Sequence, residues 1–226
     1  MFIFEKMKRS IIITAGGIGT RMGETLPKQF LLLKQRPVLI HTLEAFYAFD
    51  PDAQLIITLP HEWQSYWHEL LDKYNIEIAH QLVDGGKERF HSIQNALQIC
   101  DGKQIGIHDG VRPLVSQATI KRCFDGLDFA KAVVPVLKLK DSLRMGSQAQ
   151  SESVDRAAYF LVHTPQCFDA QTLKAAYQQG YDPKFTDDAS VVEAQNIRPL
   201  LVESNEENMK ITTPIDLKIL HALFEK

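Results

Sequence analysis

The chain has 226 residues, 45% hydrophobic and 23% charged, with a formal net charge of −3, the balance of a globular chain long enough to bury a sizeable core. That charge leaves no basic excess through which phosphate neutralisation would recruit nucleic acid. No apolar run approaches the length that spans a bilayer, and the opening MFIFEKMKRSIIITAGG is broken by charges and followed by glycines, so neither a membrane span nor a signal peptide is expected.

Short β-branched runs alternate with helical patterns, which predicts an α/β fold: a mostly parallel sheet with helices on both faces. Residues 9–15 (RSIIITA) read as the first buried strand. Behind a glycine loop, Val38, Leu39, Thr42, Leu43, Phe46 and Phe49 follow a 3.6 period, with Pro37 suited to a helix start. Residues 55–59 are the second strand. Trp63, Trp67, Leu70, Leu71 and Tyr74 mark an amphipathic helix whose aromatic stripe reads as core. Residues 77–83 are a third strand, 87–99 a helix buried through Phe90, Ile93 and Leu97, and 105–108 a fourth strand. Residues 132–139 make a fifth, in which Pro135 suggests an edge or a bulge. Residues 140–162 carry a polar, glycine-containing tip between two alternating arms, the pattern of a projecting β-hairpin. Regular alternation resumes at Asp169, and the last helix starts at Pro214 behind the cap candidates Thr212 and Thr213. The organisation is one domain over 1–226, with the arm at 140–162 inside it.

Cys100, Cys123 and Cys167 match no zinc or disulfide spacing and are expected to be reduced thiols of a cytoplasmic protein. His61 and His68 miss the i, i+4 spacing of a zinc helix.

In an open parallel sheet, ligands bind beyond the carboxyl ends of the strands. The first such junction is AGGIGTRMGETLPKQF. Gly16, Gly17 and Gly19 let the backbone approach a phosphate, and Arg21 and Lys28 supply charge to a polyphosphate lying along the loop. Met22 stands where the dinucleotide fingerprint needs its third glycine, and Leu59 and Pro60 stand where that fold needs a ribose-binding acid, so a nicotinamide dehydrogenase is disfavoured. The second junction, DGGKERFHS, offers Gly86 and the Ser92 hydroxyl to a base edge. The third, HDGVRP, puts Asp109 after a buried strand, where a carboxylate holds Mg²⁺ that bridges phosphates, with Arg112 as a buttress. In the fourth, NMKITTP, Lys210 precedes a helix start.

Together and in this order, the junctions resemble the bacterial 2-C-methyl-D-erythritol 4-phosphate cytidylyltransferases of the non-mevalonate isoprenoid pathway. KDSLR and VDR in the arm, HTPQ after it, and TDDAS complete the likeness. The resemblance implies a Rossmann-like nucleotidyltransferase fold that joins CTP and methylerythritol phosphate and releases pyrophosphate. It implies that Arg21, Lys28 and Lys210 hold the CTP phosphates, that Gly86 and Ser92 lie at the cytosine, and that Ala15 and Gly16 lie near the nucleoside. Asp109 would sit by Mg²⁺ and the reacting phosphates, while Ser142, Arg156, Thr164 and Thr186 would bind the acceptor. In this family the arm reaches across a two-fold axis, which implies a homodimer with Ser142 and Arg156 serving the neighbouring subunit's site. Lys87 departs from a usually acidic position, Ser142 from a frequent threonine, and Gly110 and Val111 from HDAARP. The rival readings are a ribitol 5-phosphate cytidylyltransferase, which shares the CTP loops, and a non-catalytic nucleotide-binding relative.

Overall fold

Three consecutive isoleucines make the centre of β1 (Arg9–Thr14). Successive side chains of a strand face opposite ways, and Ile11 and Ile13 enter one apolar cluster while Ile12 enters the other. All three are fully buried, so the sheet is covered on both faces, as its parallel strands require. The computed structural model describes residues 8–17 and 26–224; Gly19 and Arg21 lie outside them.

After a 3-10 turn at Lys28–Phe30, a small hairpin of β2 (Leu32–Leu33) and β3 (Arg36–Pro37) leads into α1 (Val38–Phe49), which starts behind Pro37 as expected. Next come β4 (Gln54–Leu59), α2 (Gln64–Tyr74), β5 (Gln81–Asp84), α3 (Arg89–Leu97), β6 (Gln104–Asp109) and α4 (Gln117–Asp125). Trp67 is fully buried against Phe30 and donates its indole N–H to His80 Nε2 at 2.9 Å, so the aromatic stripe is core. The third strand is shorter than its apolar pattern: pairing with β4 begins at Gln81. Ile76 and Ile78 pack on the core without joining the ladder, because alternation reports burial rather than strand pairing.

Beyond β7 (Ala132–Lys138), β8 (Leu143–Gly146) and β9 (Ser151–Val154) form a separate two-stranded hairpin. The chain then returns to the main sheet through β10 (Phe160–Val162) and β11 (Gln166–Asp169), so the last residues of the 140–162 segment belong to that sheet. It ends with α5 (Ala170–Ala176), α6 (Asp188–Glu193), β12 (Leu200–Glu203) and α7 (Pro214–Phe224).

The strand order is β5-β4-β1-β6-β11-β7, with β12 and β10 also paired to β7. β11 is antiparallel to both β6 and β7, an insertion that the sequence pattern did not show. β7 is interior, between β12 and the β10–β11 segment. Pro135 falls where the ladder passes from β11, paired at Val133, to β10, paired from Val136, so an interruption and not a sheet edge accommodates its missing donor. At the last helix the expected cap is reversed: Asp216 Oδ2 accepts from the Thr212 and Thr213 amides at 2.8 and 2.7 Å.

Candidate active site

The carboxyl ends of β1, β4, β5 and β6 meet along one rim, and the antiparallel run of β11 brings its amino end, with Thr164 just before it, to the same rim. Ala15, Gly16, Gly17, Lys28, Gly86, Ser92, Asp109 and Lys210 line one cleft of about 240 Å³ there, together with Lys87, Glu88 and Arg89. The first eight come from separate junctions along the chain, and the fold brings them together.

Local geometry explains the loop residues. A Cβ built on Gly86 would stand 2.3 Å from His91 Cβ, so only glycine lets this turn lie against α3. The Gly86 N–H donates to Ser92 Oγ at 2.9 Å, which ties the loop to the first turn of α3. Across the cleft, Gly16 faces Ser92 and Gly17 faces the Lys28 stem. Gln29, buried, donates to Ala15 O at 2.6 Å and fixes the strand exit. Lys28 Nζ donates to Ile211 O at 3.1 Å. Ile211 is itself bonded to Val111 O at 3.0 Å, so Lys210 projects from a segment anchored beside β6.

A second cleft, of about 270 Å³, is lined by Thr164, Thr186, Asp187, Arg112 and His163. Arg89, Asp109 and Lys210 border both clefts. They form the divide. Asp109 Oδ2 lies 3.1 Å from Arg112 Nε and 3.1 Å from Lys210 Nζ, while Oδ1 lies 3.6 Å from Arg89 Nε. Burial would raise the Asp109 pKa, but Arg89, Lys210 and Arg112 outweigh it and hold the carboxyl far below its ordinary range. Arg112 acts as the expected buttress, and its Nη1 donates to Asn208 O at 2.7 Å. Behind the divide, burial lowers His108 to about 3 and His163 to about 4, so both rings are neutral.

Arg89 at the divide and the buried Asp188 behind it carry no role in the sequence reading. Arg89 donates both terminal nitrogens to Asp188 at 2.7 Å, and Tyr177 Oη donates to the same carboxylate at 2.7 Å. Asp188 is fully buried, so its charge needs a partner, and this pair fastens the TDDAS segment to the first residue of α3. The only sequence signal was two adjacent acids, of which Asp187 is the N-cap of α6 and Asp188 turns inward.

Ser142 and Arg156 are exposed and line neither cleft of this chain; Arg156 Nη1 donates to Lys140 O. The described residues hold no cluster of three or more histidine, cysteine or acidic side chains suited to a metal. The donor set instead offers one carboxylate, with Oδ1 the less tightly held oxygen. That fits Mg²⁺, which is commonly bound by one or two carboxylates plus substrate phosphates and water. No described helix is long and apolar enough to cross a membrane, and all three cysteines are free and buried.

The family model for 2-C-methyl-D-erythritol 4-phosphate cytidylyltransferase matches residues 10–226. The Bacteroides fragilis protein of that name is 52% identical over 218 residues, covering 96% of this chain and all of the relative. The crystal structure of the Thermus thermophilus 2-C-methyl-D-erythritol 4-phosphate cytidylyltransferase is similar, with a TM-score of 0.80 and 30% identity over 97% of this chain and all of that one. So is the 4-diphosphocytidyl-2C-methyl-D-erythritol synthase of Anaerococcus prevotii, with a TM-score of 0.84 and 26% identity over 97% of both chains.

Proposed function

Since this chain belongs to the 2-C-methyl-D-erythritol 4-phosphate cytidylyltransferase family, we propose that its two clefts hold CTP and methylerythritol 4-phosphate on either side of Asp109, Arg89 and Lys210. One observation carries this reading: the cleft with the glycine strand exit and Lys28 shares a cationic wall with a second, polar cleft. An acceptor phosphate oxygen attacks the α-phosphorus of CTP in line, the α–β bridging bond breaks, and pyrophosphate leaves with the electron pair.

A phosphate monoester has its second pKa near 6 and is already an anionic nucleophile at neutral pH, so the reaction needs no general base. The obstacle is repulsion between two anions and charge building on the leaving oxygen. Lys28 and Lys210 meet that charge from fixed positions, and Arg21 is assigned with them to the triphosphate. Gly16, Gly17 and Gly19 give backbone access to the phosphates, Ala15 and Gly16 flank the nucleoside, and Gly86 and Ser92 border the base. Ser92 Oγ already accepts from Gly86 N–H, so its hydroxyl also shapes the loop that reads the base. Asp109 would hold Mg²⁺, which when bound neutralises and aligns the phosphates.

Thr164 and Thr186 border the acceptor. Ser142 and Arg156 complete the site of a second subunit in a homodimer, a reading supported by their exposure and by their places just before and just after the β8–β9 hairpin. The reduced, buried cysteines favour the cytoplasm. A panel of CTP, UTP, ATP and GTP against methylerythritol 4-phosphate and ribitol 5-phosphate tests the proposal. Mg²⁺-dependent pyrophosphate release should be fastest with CTP and methylerythritol 4-phosphate. Preference for ribitol 5-phosphate, or no turnover with any pair, overturns it.

A further inference from the structure

Behind Asp109, four buried residues pass hydrogen bonds around a closed ring. Arg112 Nη1 donates to Asn208 O at 2.7 Å, and Asn208 Nδ2 donates to Thr164 O at 2.8 Å. Thr164 Oγ1 stands 3.0 Å from His108 Nδ1, and His108 Nε2 stands 3.1 Å from Arg112 O. His108 and Asn208 are fully buried, and Arg112 and Thr164 nearly so.

The direction of each link is fixed by chemistry. A carbonyl oxygen only accepts, so Nε2 of His108 carries a proton, and Nδ1 is the acceptor facing the single proton of the Thr164 hydroxyl. The Thr164 hydroxyl therefore donates to Nδ1. Its oxygen also accepts the Asp109 N–H at 3.1 Å. Asn208 is held one way round by the Thr164 carbonyl, which can only accept; its Nδ2 also reaches Ser204 Oγ at 3.2 Å, and its Oδ1 has no partner in the buried interior. Leaving a buried oxygen unpaired is costly, and the reverse amide orientation would set oxygen against the Thr164 carbonyl.

The ring grips Asp109 at two points: Thr164 takes its amide, and Arg112 Nε takes Oδ2 at 3.1 Å. Neither His108 nor Asn208 lines either cleft, so neither touches substrate. We infer that His108, Asn208 and the Thr164 hydroxyl are positioning residues for the transfer reaction, a buried ring that fixes the Asp109 carboxylate at the divide between nucleotide and acceptor. Thr164 also faces the second cleft with its one proton already committed to His108. Toward an acceptor it offers a lone pair alone, which suits an alcohol O–H and not a phosphate oxygen.

This role rests on the cytidylyl transfer proposed above, and its test separates the two. Thr164→Val removes the hydroxyl at nearly constant volume. At saturating CTP and acceptor, kcat should fall about 10- to 100-fold, the usual loss when a partner that orients a catalytic group is removed. Thr164→Ser should stay within threefold of wild type, and KM for CTP should hold within threefold in both. A Thr164→Val enzyme with unchanged kcat, including one whose only defect is a higher acceptor KM, overturns the positioning role and makes Thr164 an ordinary substrate ligand. Nitrogen-15 spectra of the wild-type protein at neutral pH give a second reading that needs neither variant nor substrate. His108 should show a protonated Nε2 and a bare Nδ1, and the opposite tautomer breaks the ring. Absence of wild-type turnover would sink the proposed reaction while leaving the tautomer to decide the ring itself.

Discussion

Replacing Lys210 by alanine should lower kcat about 10²- to 10³-fold without unfolding the protein. Its ammonium stands 3.1 Å from Asp109 Oδ2, on a side chain 39% exposed, in the wall common to both clefts. A phosphoryl oxygen about 4 Å from that charge gains about 4 kcal/mol at an effective dielectric of ~20. Partial exposure reduces this toward ~3 kcal/mol through solvent screening, and ~3–4 kcal/mol in a barrier is about 10²- to 10³-fold in rate. Loss of a single preorganised donor has the same size in other enzymes, about 10² to 10³ in kcat. The fold should tolerate the change, because Asp109 keeps Arg112 at 3.1 Å and Arg89 at 3.6 Å and a half-exposed ion pair is worth about 1 kcal/mol or less. Initial rates of CTP-dependent pyrophosphate release, paired with a thermal melt, measure both quantities. A kcat within threefold of wild type refutes the assignment, and a large fall in Tm shows that Lys210 acts through the fold.

Asp188→Asn weakens the two-pronged grip on Arg89. A broken buried pair costs about 3–5 kcal/mol, reduced here to ~2–3 kcal/mol because Arg89 is 32% exposed. Differential scanning calorimetry should show Tm lower by roughly 5–10 °C, and an unchanged Tm removes the pair from the architecture. Arg156→Ala should raise the acceptor KM about 10- to 100-fold, the worth of one charged hydrogen bond, and leave the CTP KM nearly alone; the reverse pattern contradicts its acceptor role. Stability should fall with acid. Burial holds His41, His80 and His163 below their ordinary value, His163 at about 4, so the unfolded chain takes up protons first as the pH drops through about 6.5. Between pH 8 and pH 5, His163 alone should cost ~2 kcal/mol, read as a falling Tm; a Tm that rises over this range reverses the sign and refutes it.

Much of this site was legible because phosphate chemistry concentrates at strand ends, where glycines and cations stand out against apolar runs. Ala15, Gly16, Gly17, Lys28, Gly86, Ser92, Asp109 and Lys210 come from separate junctions, and all line one cleft. Arg89 and Asp188 were not legible, since they lie far apart in the chain and acquire meaning only when their charges meet in the interior. Asn208 and His108 were hidden for a similar reason: an amide or imidazole in a ring of hydrogen bonds leaves no spacing to read. In the fold, the isoleucine run of β1 and the helix behind Pro37 declared themselves locally. The antiparallel β11 did not, because strand direction is set by partners across the sheet, and four residues of QCFD carry no mark of it.

In the proposed reaction fixed cations, and no proton-transferring group, bring two repelling phosphates together. A crystal structure of the protein with bound CTP tests it most directly. The Lys28 and Lys210 ammonium groups, with the Arg21 guanidinium, should lie within hydrogen-bonding distance of triphosphate oxygens in the glycine-lined cleft. A triphosphate bound elsewhere, or those three side chains turned away from it, would contradict the account.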